Sequence, residues 1–393
     1  MTRPFTIAII TLLLLFSILT TVSAAEASSA TITAATSPLL QSSSPAIQEN
    51  LLARLADHDQ AALRFDNANP ALLPEMTLRA ALDAGLFSAV YWVMPTSGEM
   101  SGLSVEAFRT QMGQFGAASD AEVRSFTMRD GVISGAIRGV PFHALHPQAT
   151  IAIRGPAVVH FDLSFLSPLY KGEIKTPIHA LIFQSLKHLR DQRVKALSVS
   201  FSYSQVDGKV SLGSRFIGDV FNQIFKQPEI LDKQLPTAWQ LRANALYLRK
   251  LIMAQKARDT LLQLKNVNNE DPSIDYALYK VSREIKTERQ AALGHLAKAV
   301  QGDPVYALEY LILAPVANEK RFHDEALRIL RLAHEALPDN PFVTLELARA
   351  LIANDQSSNA EPFVRKLLEL NWSAFFYPDM KKALQKMLAM TDS

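Results

Sequence analysis

The sequence predicts an α/β layered domain, a mostly parallel sheet with an added hairpin, followed by an all-α domain built from repeated helices. Three observations carry this. Strand, helix and strand patterns follow one another between residues 156 and 204. Strand-like alternation ceases after about residue 236. From there, prolines and small residues recur at a spacing of 34 residues.

The chain opens MTRPFTIAIITLLLLFSILTTVSAAEA. Arg3 supplies a positive start, Phe5 to Thr20 an apolar stretch, and Val22-Ser23-Ala24 the small-x-small pattern of a cleavage point, so residues 1–24 are expected to be a secretory signal peptide. Cleavage would leave a periplasmic or secreted protein with no stable membrane span. The alternative is a protein anchored in the membrane by the uncleaved segment. The chain contains no cysteine, which excludes disulfides, thiolate metal sites and lipidation of a processed cysteine. Residues 25–47 are rich in Ala, Ser and Thr and nearly free of charge, the composition of a flexible linker. The formal net charge is +2 with no basic block, which argues against nucleic acid as a partner.

Residues 48–228 mix two periodicities. LLARLADHDQAALRF and MTLRAALDAGLF space apolar residues by three and four, as amphipathic helices do. SAVYWVMP is a short β-branched and aromatic run stopped by Pro95, a buried strand with Tyr91 and Trp92 in the core. SVEAFRTQMGQFG predicts a helix capped by Ser104 and ending near Gly116. Alternation around Asp130-Gly131 predicts a hairpin, because both residues tolerate the positive φ of a two-residue turn. PAVVHFDLSF then reads as a buried strand, TPIHALIFQSLKHLRDQR as a helix capped by Thr176, and VKALSVSFSYS as another buried strand. That order is a βαβ unit, which requires parallel strands and a crossover. SRFIGDVFNQIFKQP closes the half as one more helix.

In residues 236–393, alignment on the 34-residue period places Ala292, Ala326 and Ala360 together. Leu296, Leu330 and Val364 share a second position, Ala299, Ala333 and Leu367 a third, and Tyr279, Leu313 and Leu347 a fourth. Pro304 and Pro338 close successive helix pairs. This pattern resembles the tetratricopeptide repeat over 273–306, 307–340 and 341–374, with a looser unit at 236–272 beginning near Trp239 and YPDMKKALQKMLAM as a capping helix. The resemblance implies a solenoid that binds a protein or peptide partner. The chain departs from the pattern at Pro315, inside a first helix, and at Lys280, where a small residue is usual.

HFDLSFLSP, at the end of the first βαβ strand, resembles the metal-binding strand end of the arginase and agmatinase family, Ser-x-Asp-x-Asp-x-x-Asp-Pro. Asp162 matches the first aspartate and Pro168 the proline, while His160, Ser164 and Ser167 stand where the family has serine and two aspartates. Its other metal motifs are absent, so the resemblance implies a divergent domain that has lost its catalytic metal cluster. Three readings follow. The first is an exported interaction protein that binds its partner through the repeats, with a non-catalytic α/β domain and no cofactor. The second is a metal-dependent hydrolase of an amide or amidine, with a divalent metal on Asp162 and His160 and on His143 or His146 from FHALHP. The third is a small-molecule-binding domain without metal, whose pocket would use Ser164, Ser167, Ser200 and Ser202. Ser198, Ser200, Ser202 and Ser204 alternate and so share one face of their strand. No Gly-x-Ser-x-Gly elbow and no His-Glu-x-x-His is present.

Overall fold

A computed structural model describes residues 30–34, 77–95, 104–114, 118–149, 153, 155–163, 165–166, 170, 177–203, 211–374 and 377–391. The leader, LLARLADHDQAALRF, Gly116, Ser164, Ser167, Pro168, Thr176 and Ser204 lie outside the described residues. The chain divides into two compact units, one containing Ala71–Lys250 and the other Leu251–Ser393.

Among the described residues, the first unit is built on a seven-stranded sheet. Its strands are β1 Ala30–Ala34, β2 Ala89–Val93, β3 Thr127–Arg129, β4 Val132–Ile137, β5 Val140–Leu145, β6 Pro156–Asp162 and β7 Lys195–Ser202. Their spatial order is β3-β4-β5-β2-β1-β6-β7. β5, β2, β1, β6 and β7 are parallel, and β3 and β4 extend the sheet as an antiparallel meander. The chain therefore steps outward from β1 through β2 to β5, then returns to the other side of β1 for β6 and β7. Helices cover both faces, as in a doubly wound sheet. On one face, α1 Thr77–Asp83 and α2 Val105–Gln114 pack Leu78, Leu82, Phe108 and Met112 over Val90, Trp92, Phe142 and Ala144. The short helix α3 Asp120–Ser125 adds Val123. On the other face, α4 Ile178–Asp191 and α5 Phe216–Lys226 bury Ile182, Leu186, Val220 and Phe221 against Val159, Phe161 and Phe201.

Local chemistry explains most boundaries. Ser104 Oγ accepts from the amide of Ala107 and so caps α2. Asp130 and Gly131, at φ 51° and 75°, close the expected β3–β4 hairpin. A second turn of the same kind, Arg138-Gly139 at φ 55° and 77°, joins β4 to β5. Arg138 is held there by its amide, which donates to Glu122, and by its guanidinium, which donates to Asp83. The helix after β6 begins one residue later than expected, with Pro177 flanking its first turn and no side-chain cap.

Three expectations change. The linker expected at 25–47 contributes β1, the middle one of the five parallel strands, because Ala30 and Ile32 are buried and the uncharged ATITA run fits between two neighbours. β7 is an edge strand, not a fully buried one, and Lys195, Ala196 and Leu197 are exposed. The helix α6 Thr237–Lys250, read from its period as part of the repeats, belongs to the first unit. Trp239 stacks on His179 of α4 at 5.4 Å and meets Phe183 edge-on, which ties α6 to the sheet layer.

The second unit is a run of helices: α7 Ala254–Val267, α8 Pro272–Ser282, α9 Arg289–Gly302, α10 Leu308–Glu319, α11 His323–Ala336, α12 Pro341–Ala353, α13 Ser357–Glu369 and α14 Met380–Thr391. The pairs α8–α9, α10–α11 and α12–α13 pack side by side. Asp271, Asp303 and Asn340 each cap the start of a first helix or its leading turn, and a proline follows each cap. The 34-residue period reappears as burial. Ala292, Ala326 and Ala360 are each 0% exposed, and Leu296, Leu330, Val364, Ala299, Ala333 and Leu367 are buried with them. At the fourth position Tyr279 and Leu347 are buried and Leu313 is half-buried. Pro315 sits inside α10 without ending it. Lys280 avoids crowding its neighbours by reaching Glu309, a buried carboxylate that also accepts from the hydroxyls of Tyr276 (2.6 Å) and Tyr279 (2.8 Å). Leu384 of α14 closes this end against Leu367 and Trp372.

His179 gives a first prediction. It is completely buried, neither ring nitrogen has a hydrogen-bond partner among the described residues, and burial, aided by the nearby Arg242 charge, lowers its pKa to about 3. Between about 6.5 and 3 the unfolded chain binds a proton that the folded chain refuses, so stability falls as the pH falls. The cost approaches about 1.4 kcal/mol per pH unit once the unfolded histidine is charged. His179→Phe keeps the stacking and removes that dependence. In urea titrations followed by tryptophan fluorescence, wild type should lose stability against the variant between pH 6.5 and 4.5. Parallel curves for the two proteins would contradict this assignment.

Candidate functional site

The polar residues of the first unit gather on one face of β6 and β7. Val158, His160 and Asp162 alternate along β6 and share the face that carries Trp92. β7 reaches the same face through an irregularity. Ala157 pairs with Ala196, but Val158 pairs with Ser198, so Leu197 is an extra residue that bulges outward and is exposed. Because strand side chains alternate, one inserted residue exchanges the two faces of everything beyond it. His160 then stands opposite Ser200 and Asp162 opposite Ser202. Without the bulge, Val199 and Phe201 would occupy those places.

The four side chains form one hydrogen-bonded chain. His160 Nδ1 lies 2.8 Å from Ser200 Oγ, and His160 Nε2 lies 3.4 Å from Ser202 Oγ. Ser202 Oγ donates to Asp162 Oδ2. Since that hydroxyl proton is committed to the carboxylate, Ser202 can only accept from the imidazole. Nε2 therefore carries the proton, and Nδ1 accepts from Ser200. Donation runs in one direction, from Ser200 through His160 and Ser202 to Asp162. His160, Asp162 and Ser200 are buried, and Ser202 is half-buried. Burial lowers the His160 pKa and keeps the ring neutral, against the opposing pull of the Asp162 charge. One pair further down, Ser198 Oγ is buried with no hydrogen-bond partner among the described residues.

The location matters as much as the contacts. β1 and β6 are neighbours whose onward connections lead to opposite sides of the sheet. Outside the carboxyl ends of such a strand pair, doubly wound sheets have a crevice that takes ligands. Asp162 and Ser202 are the last residues of β6 and β7, at that same end.

The histidines expected to complete a metal site lie elsewhere. His143 is on β5, separated from β6 by β2 and β1, and its side chain is on the opposite face. There it stacks on Tyr91 at 4.9 Å and bonds Ser134 at 2.9 Å, and burial lowers its pKa. His146 follows β5, and its Nδ1 accepts from the amide of Gln148. Three strand spacings, about 14 Å, separate β5 from β6, far beyond any shared coordination sphere. Of the expected metal ligands, His160 and Asp162 are neighbours on one face, and His143 lies on the other face of the sheet. No group of three or more potential ligands is present among the described residues. Of the expected pocket serines, Ser200 and Ser202 join the seam. Their alternation alone puts them on one face, but only the register across the Leu197 bulge sets them against His160 and Asp162.

No protein-family model matches the chain, and no curated protein matches it.

His143→Phe supplies a second prediction. Stacking on Tyr91 survives and the Ser134 bond is lost, at a cost of about 1 kcal/mol. Added zinc or manganese should shift the melting temperatures of wild type and variant equally. A metal-induced stabilisation that disappears in the variant would place His143 in a coordination sphere after all.

Proposed function

We propose that the protein is an exported interaction protein whose second unit is a tetratricopeptide-like solenoid that holds a segment of a protein partner. The observation that carries this reading is the recurrence, every 34 residues, of small buried residues at the helix contact, Ala292, Ala326 and Ala360. A stack of similar helix pairs has a core one layer thick, so it presents a long surface for its size. Binding is the function such surfaces serve. Export is supported by the N-terminal pattern around Val22-Ser23-Ala24. Among the described residues no helix is long and apolar enough to cross a membrane.

The partner segment in this reading carries apolar side chains. Ile312 and Val316, one turn apart on α10, are exposed, and Phe322 is exposed at the start of α11. The next repeat has Glu346, Ala350 and Gln356 at the corresponding positions, so the patch is confined to one repeat. Full-length protein crosslinked in an envelope fraction should capture a specific partner. Ile312→Glu combined with Phe322→Glu should abolish capture while changing stability by less than about 1 kcal/mol, since both side chains are exposed. Capture that survives the double variant, or none by wild type, would sink this reading. Within the unit, Ala326→Leu should cost about 1–3 kcal/mol through overpacking at the helix contact, measured by thermal melting. A neutral result would mean that the alanines are not contact positions.

A further inference from the structure

The geometry points to a second function, in the first unit: Ser200 is a nucleophile for acyl transfer, activated by His160 and backed by a Ser202–Asp162 relay. This departs from the expectation of a non-catalytic domain, and it is independent of the partner-binding reading.

Three observations carry it. The first is cost. A sheet covered on both faces is ordinarily apolar on both, yet this face carries His160, Asp162, Ser198, Ser200 and Ser202, mostly buried. Burying such groups disfavours folding even when they are hydrogen-bonded, so their concentration at one place needs a reason other than stability. The second is direction. Ser200 donates to Nδ1 at 2.8 Å, and the opposite nitrogen is tied through Ser202 to a carboxylate. This is the order of roles in a nucleophile, base and acid constellation, with one hydroxyl inserted before the acid. Burial also keeps the imidazole neutral and able to accept a proton. The third is place: the chain of groups ends at the carboxyl ends of β6 and β7, next to the strand pair β1 and β6, from which the chain turns to opposite sides of the sheet. Such constellations are recognised by geometry, so the missing Gly-x-Ser-x-Gly elbow does not weigh against this one.

The chemistry balances with water as the only co-reactant. Ser200 Oγ attacks the carbonyl carbon of a carboxylic ester, and its proton moves to His160 Nδ1. The resulting imidazolium stays bonded through Nε2–H to Ser202, whose hydroxyl remains on Asp162, and the carboxylate charge stabilises it. Nδ1 then returns the proton to the departing alkoxide. Water, deprotonated by the same nitrogen, releases the acid and restores Ser200. Ser202 and Asp162 act as positioning residues.

The test is labelling of the purified full-length protein with a fluorophosphonate, which forms a phosphorus–oxygen bond to an activated serine and expels fluoride. Intact mass and peptide mapping should find one adduct, on Ser200. His160→Asn, which keeps an amide near the Nδ1 position, should slow labelling by about a hundredfold or more. Ser202→Ala should slow it about tenfold and Ser202→Thr should restore it, a rescue that loss of packing would not give. Because burial lowers the His160 pKa, wild-type labelling should persist into mildly acidic solution, below the usual histidine midpoint. Circular dichroism checks the fold of each variant. The wild-type mapping decides the question even if a variant fails to fold. No adduct, an adduct on another serine, or an unchanged rate in folded His160→Asn would overturn the proposal.

Discussion

One extra residue in an edge strand determines what the first unit can do. Strand side chains alternate, so the bulge at Leu197 decides whether β7 presents serines or Val199 and Phe201 beside His160 and Asp162. With the bulge in place, Phe201 turns to the other face and packs on Phe221, while Ser200 and Ser202 complete a polar seam. The bulge lies at the amino-terminal half of β7, where the strand is exposed and an outward residue is tolerated. Edge strands are where such irregularities are commonest, because only one neighbour must be matched.

The bulge acts within a frame set by β1. Pairing in parallel with β2 on one side and β6 on the other, β1 makes the sheet continuous and places the change of direction beside the seam. Helices then divide by face. Those that follow the outward path cover Trp92, and those that follow the return path cover Phe161. α6 extends the second layer, with Trp239 against His179 and Arg242 over the ring of Phe216. The second unit is organised differently. Its contacts are between successive helices, its core positions are small, and one buried carboxylate, Glu309, binds two tyrosines and a lysine from the preceding repeat.

Much of this was legible in the residues, for identifiable reasons. The helices of the second unit announce themselves because contact positions and prolines recur at a fixed period, while the Asx caps before the prolines emerge only in the structure. The Asp130-Gly131 hairpin is legible because few residue pairs accept two positive φ values. β1 was hidden, since ATITA is short and lies in a tract of Ala, Ser and Thr whose composition suits a tether. Only its distant partners make it a strand. α6 has helical spacing like the repeats, and nothing local shows that Trp239 packs on α4. His143 and His160 both sit on strands, but whether they share a face depends on register through two intervening strands. The alternation Ser198, Ser200, Ser202 was visible, while its partners depended on a bulge that no local signal marks.

The whole seam depends on the register that sets His160 against Ser200 and Ser202. It is tested most directly by nuclear Overhauser contacts from the His160 ring in protein selectively labelled at histidine, serine and valine. The bulged register should give contacts to the β-protons of Ser200 and Ser202 and none to the methyl groups of Val199. Contacts from that ring to Val199, without the serines, would mean that β7 pairs without its bulge and that the seam does not exist.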